Sequence, residues 1–305
     1  MRIVTLSPAC NNACVFCAQG KLREQPARQT PEQIVADAVG ALVAGETVAL
    51  VGGEPTLYDA LPNFVRAFDA AGAGRIVVQT NGRRLAYRSF VRALREASSR
   101  LVLEVSIAGS TEPMHDYHTG TAGSFKQTIV GIRNARAERI VVYTSVVVTR
   151  SNFRHMSEMV RLAHALGATA LRFVPAQTIG NARRAVDRVV PSMPLVAPYL
   201  ALALAEGQKL GLTVLTDATG TSHEQSGVVY AGIGRELELE ETFNDAQKPR
   251  RSLAIFGRPA PAVREERGRA RRTGDDLREI LPALFDGSAP RDVAEVVAAS
   301  NKGAG

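Results

Sequence analysis

Three cysteines fall within eight residues near the N-terminus, Cys10, Cys14 and Cys17, spaced C-x3-C-x2-C, and the chain has no others. They follow an apolar run at residues 3–6 with the pattern of a short strand, which puts the thiols on a loop at a strand end. A structural zinc site takes four Cys or His ligands, commonly as two spaced pairs, and no second pair follows. A disulfide leaves one thiol over and suits a small secreted scaffold. Core cysteines buried one at a time are a further reading. Three thiolates on so short a loop can each hold one iron of a cubic 4Fe-4S cluster, which leaves the fourth iron without a protein ligand and open to chemistry.

The chain has the means to build a core around such a loop. With 305 residues, 45% hydrophobic and 22% charged, it reads as a soluble α/β domain with an extension. No apolar run reaches the roughly 18 residues that a membrane span needs. Met1-Arg2-Ile3-Val4 enters a strand at once and leaves no room for a signal peptide, so cytoplasm is the expected compartment. The net charge of +7 is concentrated: residues 248–272 hold Lys248, Arg250, Arg251, Arg258, Arg264, Arg267, Arg269, Arg271 and Arg272 against Glu265 and Glu266. Such a run suits either a solvated tail or a contact to RNA or an acidic peptide.

Strand and helix patterns alternate after the cysteines. Thr30-Pro31-Glu32-Gln33 opens a helix, with Thr30 as N-cap, Pro31 in the first turn and Gln33 at the capping-box position. Strands are expected at 48–51, 75–79, 101–107, 140–149 and 170–174, and helices at 62–71, 87–97, from 124 and at 153–166. Residues 110–123 and those from 175 onward read as loops. In the strand at 101–107, Glu104 and Ser106 share one face. Six strands, each but the last followed by a helix, argue for parallel pairing and leave a doubly wound sheet, a full barrel and a partial barrel open. Later come a helix at 195–210, a short strand at 212–215, and short amphipathic helices at 275–285 and 292–299.

With Phe16 directly before Cys17, and Gly52-Gly53-Glu54-Pro55 closing the next strand, the chain resembles the radical S-adenosylmethionine (SAM) superfamily over roughly its first two-thirds. The resemblance implies a partial (β/α)6 TIM-like barrel at residues 1–216, with a basic and partly flexible C-terminal extension at 217–305. It implies one 4Fe-4S cluster on Cys10, Cys14 and Cys17, and SAM as cosubstrate, both near the C-terminal strand ends. Reductive cleavage of SAM then gives a 5'-deoxyadenosyl radical that abstracts hydrogen from a substrate.

Further residues take roles from the same resemblance. Gly52, Gly53, Glu54 and Pro55 are expected to hold the SAM amino group, the glycines because a backbone without Cβ can approach a ligand closely. Phe16 resembles the apolar position whose backbone faces adenine, and it equally serves to shield the cluster. Thr80, Asn81 and Ser106 fall where family members place ribose or carboxylate contacts, although Asn81-Gly82 is also a strong turn signal. Ser145 and Val147 are expected near SAM. Glu104 and Arg172 are candidate substrate contacts that could instead pair with each other. Tyr143 is a candidate hydrogen-atom donor. His115, Asp116 and His118 invite a metal reading, with loop ordering by His115 and Asp116 as the plainer alternative.

No cysteine follows Cys17, so this chain has neither a second cluster on cysteine ligands nor a cysteine thiol as hydrogen donor. The expected function is hydrogen abstraction from a ribosomal peptide or a small natural-product precursor. An electron donor such as flavodoxin or ferredoxin would supply the reducing equivalent. Modification of RNA through the basic segment, and a cluster protein that binds SAM without turnover, are the competing readings. Without tryptophan and with six tyrosines, surfaces for stacking bases are sparse.

Overall fold

The computed structural model describes residues 1–20 and 29–216. Seven strands, β1 (Arg2–Thr5), β2 (Thr47–Val51), β3 (Arg75–Thr80), β4 (Leu101–Ser106), β5 (Val141–Val148), β6 (Ala170–Pro175) and β7 (Thr213–Thr216), make one sheet in sequence order. Every neighbouring pair is parallel. The sheet ends at β1 and β7 without closing, which makes it a partial barrel. The connecting helices are α1 (Pro31–Gly40), α2 (Leu61–Ala70), α3 (Arg88–Ala97), α4 (Glu112–Thr119), α5 (Ser124–Ala137), α6 (Met156–Ala165), α7 (Val186–Val189) and α8 (Met193–Leu210).

Local sequence accounts for most of these elements. At the start of α1 the capping box is complete: Gln33 N–H donates to Thr30 Oγ1 at 3.3 Å, and Thr30 N–H donates to Gln33 Oε1 at 3.0 Å. In α2 the residues Leu61, Phe64, Val65 and Phe68 recur at helical spacing and are all buried. Each such side chain contributes about 1.5–3 kcal/mol by leaving water. Together with α3 and α5 they cover the outer face of β1 to β5, through Val4, Leu50, Ile76, Val78, Leu103 and Val105. A second outer cluster seats α6 and α8 on Val146, Val148, Leu171 and Phe173.

The alternate residues face inward. A small apolar plug of Ala49, Val51, Val77, Val102, Tyr143 and Ala170 fills the lower interior. In the next row toward the C-terminal strand ends, Ser106 is in register with Ser145, and Ser145 with Arg172. Interior polarity begins one row lower, on the side where Gln79 and Glu104 lie in register with Tyr143, and continues through the serine row.

Three features differ from the sequence expectation. The stretch 110–123, read as loop, contains α4: Thr111 is its extended N-cap, Glu112 and Pro113 form its first turn, and Gly120 ends it at φ 62°. Start and stop signals crowd around eight helical residues, too few for an amphipathic period to show. The region after 175 likewise holds a 3-10 turn and α7, and β7 joins the sheet as a seventh strand beside β6. The basic segment 248–272, the helices expected at 275–285 and 292–299, and the 217–305 extension lie outside the described residues. Among the described residues no single helix is long and apolar enough to cross a membrane.

Candidate cluster and cofactor site

The loop after β1 carries Cys10, Cys14 and Cys17, thiols of intermediate exposure. Several elements from the C-terminal side of the sheet grip it. From the end of β2, Gly53 N–H donates to Ser7 O at 2.7 Å and Glu54 N–H to Ala9 O at 2.8 Å. The glycines permit this approach: a Cβ on Gly52 would lie 2.4 Å from Ser7 O, and one on Gly53 would lie 2.1 Å from Ala9 O. The close approach foreseen for a ligand is thus also an approach to the cysteine loop itself.

Helix α4 holds the loop from another side. Its last carbonyls, which lack partners within the helix, accept from the loop: Ala13 N–H donates to Thr119 O and Val15 N–H to His118 O. Asn181 closes the far end, donating from its backbone N–H to Cys17 O and from Nδ2 to Cys14 O, both at 2.9 Å. Gly180 beside it sits at φ +53°, where a Cβ would stand 2.1 Å from Cys17 O. Phe16 packs with Val147 against Ala176, Ala182 and Val189, which covers this end of the loop with apolar side chains.

Glu54 is a hub. It is 1% exposed and accepts from Thr56 N–H, Thr56 Oγ1, Thr80 Oγ1 and Asn81 N–H, so one carboxylate ties the end of β2 to the end of β3. Burial pushes its pKa up, and the four donors act against that rise. The Thr80 hydroxyl is committed here, because strand alternation turns Gln79 inward and Thr80 to the opposite face. Asn81 directs Nδ2 to Asn11 Oδ1 at 2.7 Å and stands 4.0 Å from Cys10 Sγ. Pro55 opens a buried 3-10 turn immediately after Glu54.

Ser106 and Ser145 face each other across the inner row with their hydroxyl oxygens 3.5 Å apart. Arg172, in register with Ser145, and Glu104, one row below Ser106, are each 3% exposed and form a buried ion pair, and Gln79 Nε2 also donates to Glu104. Glu104, Tyr143, Thr144, Ala170, Arg172 and Leu215 line one small pocket. Glu104 and Arg172 therefore take the paired arrangement, and Tyr143 stands beside them.

The His115–His118 stretch orders structure. Asp116 accepts from Gly123 N–H, Phe125 N–H and Ser124 Oγ, which caps α5. His118 donates from Nδ1 to Met114 O and accepts at Nε2 from Thr149 Oγ1, and burial lowers its pKa. His115 accepts at Nδ1 from Ala108 N–H, so its proton is on Nε2, which has no hydrogen-bond partner. Burial takes the His115 pKa down to about 4.

Among the described residues no group of three or more His, Cys, Asp or Glu side chains could hold a single metal ion. A cubane does not require such convergence, because each thiolate takes a separate iron. Three thiols on one gripped loop fit such a group. An amide also points at one sulfur, Asn12 N–H lying 3.4 Å from Cys10 Sγ. Asn181, Arg83 and the carbonyls of α4 were missed from the sequence. Only the Gly180-Asn181 pair left a mark there, as an ordinary turn signal.

Comparison with known proteins agrees with this geometry. A family model described as the Radical SAM superfamily matches residues 4–163. Mycofactocin maturase MftC of Mycobacterium ulcerans is 29% identical over 252 residues, covering 79% of this chain and 65% of that protein. A probable GTP 3',8-cyclase of Metallosphaera sedula is 28% identical over 183 residues, covering 59% of this chain and 56% of that protein. The chain thus spans less than two-thirds of the length of these relatives. Among solved structures, Streptococcus suis SuiB bound to precursor peptide SuiA superposes with a TM-score of 0.57 at 16% identity, covering 72% of this chain and 48% of SuiB. Native anSMEcpe with bound AdoMet and Cp18Cys peptide gives 0.54 at 17% identity, covering 71% of this chain and 62% of its own. Both likenesses are of fold.

Proposed function

This chain belongs to the radical SAM superfamily, and from that premise we propose that it is an enzyme that abstracts a hydrogen atom from a peptide precursor. The carrying observation is that its three cysteines lie on one loop gripped from beyond the C-terminal ends of β2, β3 and β6, the same end of the sheet at which Ser106 and Ser145 turn their hydroxyls inward. When bound at these thiols, a 4Fe-4S cluster and SAM supply a 5'-deoxyadenosyl radical. The chain's own residues do the rest. Gly52 and Gly53 let the strand end lie against the loop, and Glu54 makes the ends of β2 and β3 one rigid unit. Ser106 and Ser145 offer hydroxyls to polar groups entering the barrel. Arg172 and Glu104 keep the floor polar yet neutral in sum, so no net charge is buried beneath a reacting centre. Phe16, with Ala176 and Ala182, keeps water from one side of the loop.

A peptide substrate is supported by two relatives in fold that were solved with peptides bound, SuiB with SuiA and anSMEcpe with a short peptide. The maturase relatives point the same way. A small redox protein of the flavodoxin or ferredoxin kind would deliver the electron. Modification of RNA rests on residues 248–272 alone.

The test is anaerobic. Reconstituted protein receives SAM, dithionite and candidate precursor peptides, and 5'-deoxyadenosine is measured beside a Cys14→Ala control while the peptide is weighed by mass spectrometry. Deoxyadenosine above the control with a changed peptide mass is the expected result. Deoxyadenosine with unchanged peptides, and a small molecule altered instead, would overturn the peptide assignment; no deoxyadenosine with any substrate would overturn the enzymatic reading.

A further inference from the structure

Arg83 begins the 3-10 turn Arg83–Ala86 after β3, and its guanidinium is turned onto the cysteine loop. Nη1 donates to Asn11 O at 2.5 Å and to Asn12 Oδ1 at 2.9 Å, and Nε donates to Gln127 Oε1 at 2.6 Å. All three acceptors are neutral. Nearby arginines differ: Arg84 pairs with Asp59 and Arg172 with Glu104, whereas among the described residues no ion pair involves Arg83.

The atoms that Arg83 holds adjoin a thiol. Asn12 is 4% exposed and points its N–H at Cys10 Sγ from 3.4 Å. Asn11 is fixed in turn by Asn81, whose Nδ2 lies 4.0 Å from the same sulfur. A fixed positive charge is therefore clamped to the two residues that follow Cys10, on a segment whose amides face the sulfur.

We propose that Arg83 is a positioning residue for electron uptake, whose charge, without an ion-pair partner among the described residues and held on the two residues after Cys10, raises the reduction potential of the cluster this loop holds. The inference rests on the cluster reading above. Reduction adds one negative charge to a centre already surrounded by thiolates, and its potential follows net charge, hydrogen bonds to sulfur and solvent exposure. A nearby fixed cation favours the more negative state, and donors held on Cys10 Sγ act in the same direction. The step is one electron from an external reductant, which is oxidised by one; no bond forms or breaks, and Arg83 keeps its protons. A brace without electrostatic effect would hold the loop equally well but leave the potential alone.

Gln127 separates the two roles. It is exposed and accepts from Arg83 Nε, while Nη1 holds Asn11 and Asn12, so Gln127→Glu sets a carboxylate against the guanidinium and offsets its charge while Asn11 and Asn12 stay clamped. The experiment is a redox titration of the anaerobically reconstituted full chain, followed by electron paramagnetic resonance of the reduced cluster, with iron counted in parallel. Gln127→Glu is expected to titrate at a more negative potential than wild type with the same iron content, and the gap should narrow as ionic strength rises. Arg83→Gln should shift in the same direction, with Arg83→Lys closer to wild type because it keeps the charge. An unchanged midpoint in Gln127→Glu would overturn the proposal, even if Arg83→Gln loses iron. A wild-type protein that never gives a reduced-cluster signal would overturn the cluster reading with it, whereas equal midpoints overturn this inference alone.

Discussion

Replacing Gly53 with Ala adds one methyl group where the end of β2 meets the cysteine loop. The new Cβ would stand 2.1 Å from Ala9 O and 2.3 Å from Pro8 O, against the 3.4 Å at which ordinary contact begins. Both neighbours are backbone atoms, which have no rotamer to escape into, so strand end and loop must part by about 1 Å. Parting breaks the bonds from Gly53 N–H to Ser7 O and from Glu54 N–H to Ala9 O, worth about 1 kcal/mol each. With an overpacking cost of about 1–3 kcal/mol, the joint should weaken by about 3–5 kcal/mol. Gly40, the last residue of α1, is the matched control, since nothing lies within 4 Å of the Cβ it would gain. Gly40→Ala should be neutral or stabilise by about 0.5–1 kcal/mol. The assay is iron per chain after anaerobic reconstitution, the rate of iron loss to a chelator, and chemical denaturation. Gly53→Ala should hold less iron, lose it faster and unfold earlier, with Gly40→Ala matching wild type. A Gly53→Ala protein with wild-type iron retention and stability would refute the claim that this contact holds the loop.

Three other outcomes follow from named contacts. His115 has a pKa lowered from 6.5 to about 4, so its contribution to stability is fully present above pH 6.5 and is lost as pH falls toward 4. At about 1.4 kcal/mol per pH unit, the fall from 6.5 to 5 should cost about 2 kcal/mol, a loss that denaturation curves should find missing in His115→Gln. Arg172→Met should destabilise by about 3–5 kcal/mol because it strands Glu104 in the interior, while the Glu104→Met and Arg172→Met double variant should lose less than the sum of the two singles. Asn181→Asp keeps the shape but removes the donor to Cys14 O; faster iron loss with little change in the unfolding midpoint is expected, and retention equal to wild type would count against the clasp.

The sequence by itself determined what short-range chemistry and periodicity can carry. The C-x3-C-x2-C loop, the glycine pair, the capping box of α1 and the alternation of strand and helix are all local, and the strands and helices expected among the described residues reappear within about three residues of their expected bounds. Strand alternation also put Glu104 and Ser106 on one face without any tertiary knowledge. Where local signals were crowded, as at α4, the element was hidden.

Only the tertiary structure decided how these pieces are used. It spent the Glu54 carboxylate on β3 and gave the two glycines a partner in the cysteine loop. It joined Arg172 to Glu104, 68 residues away, and Asn181 to Cys14, 167 residues away. The physical reason is register. A βα repeat specifies that strands pair in parallel, but which side chains meet at their ends depends on where each strand begins relative to its neighbour and on the conformation of the loop that follows, and both are settled by packing across the whole sheet.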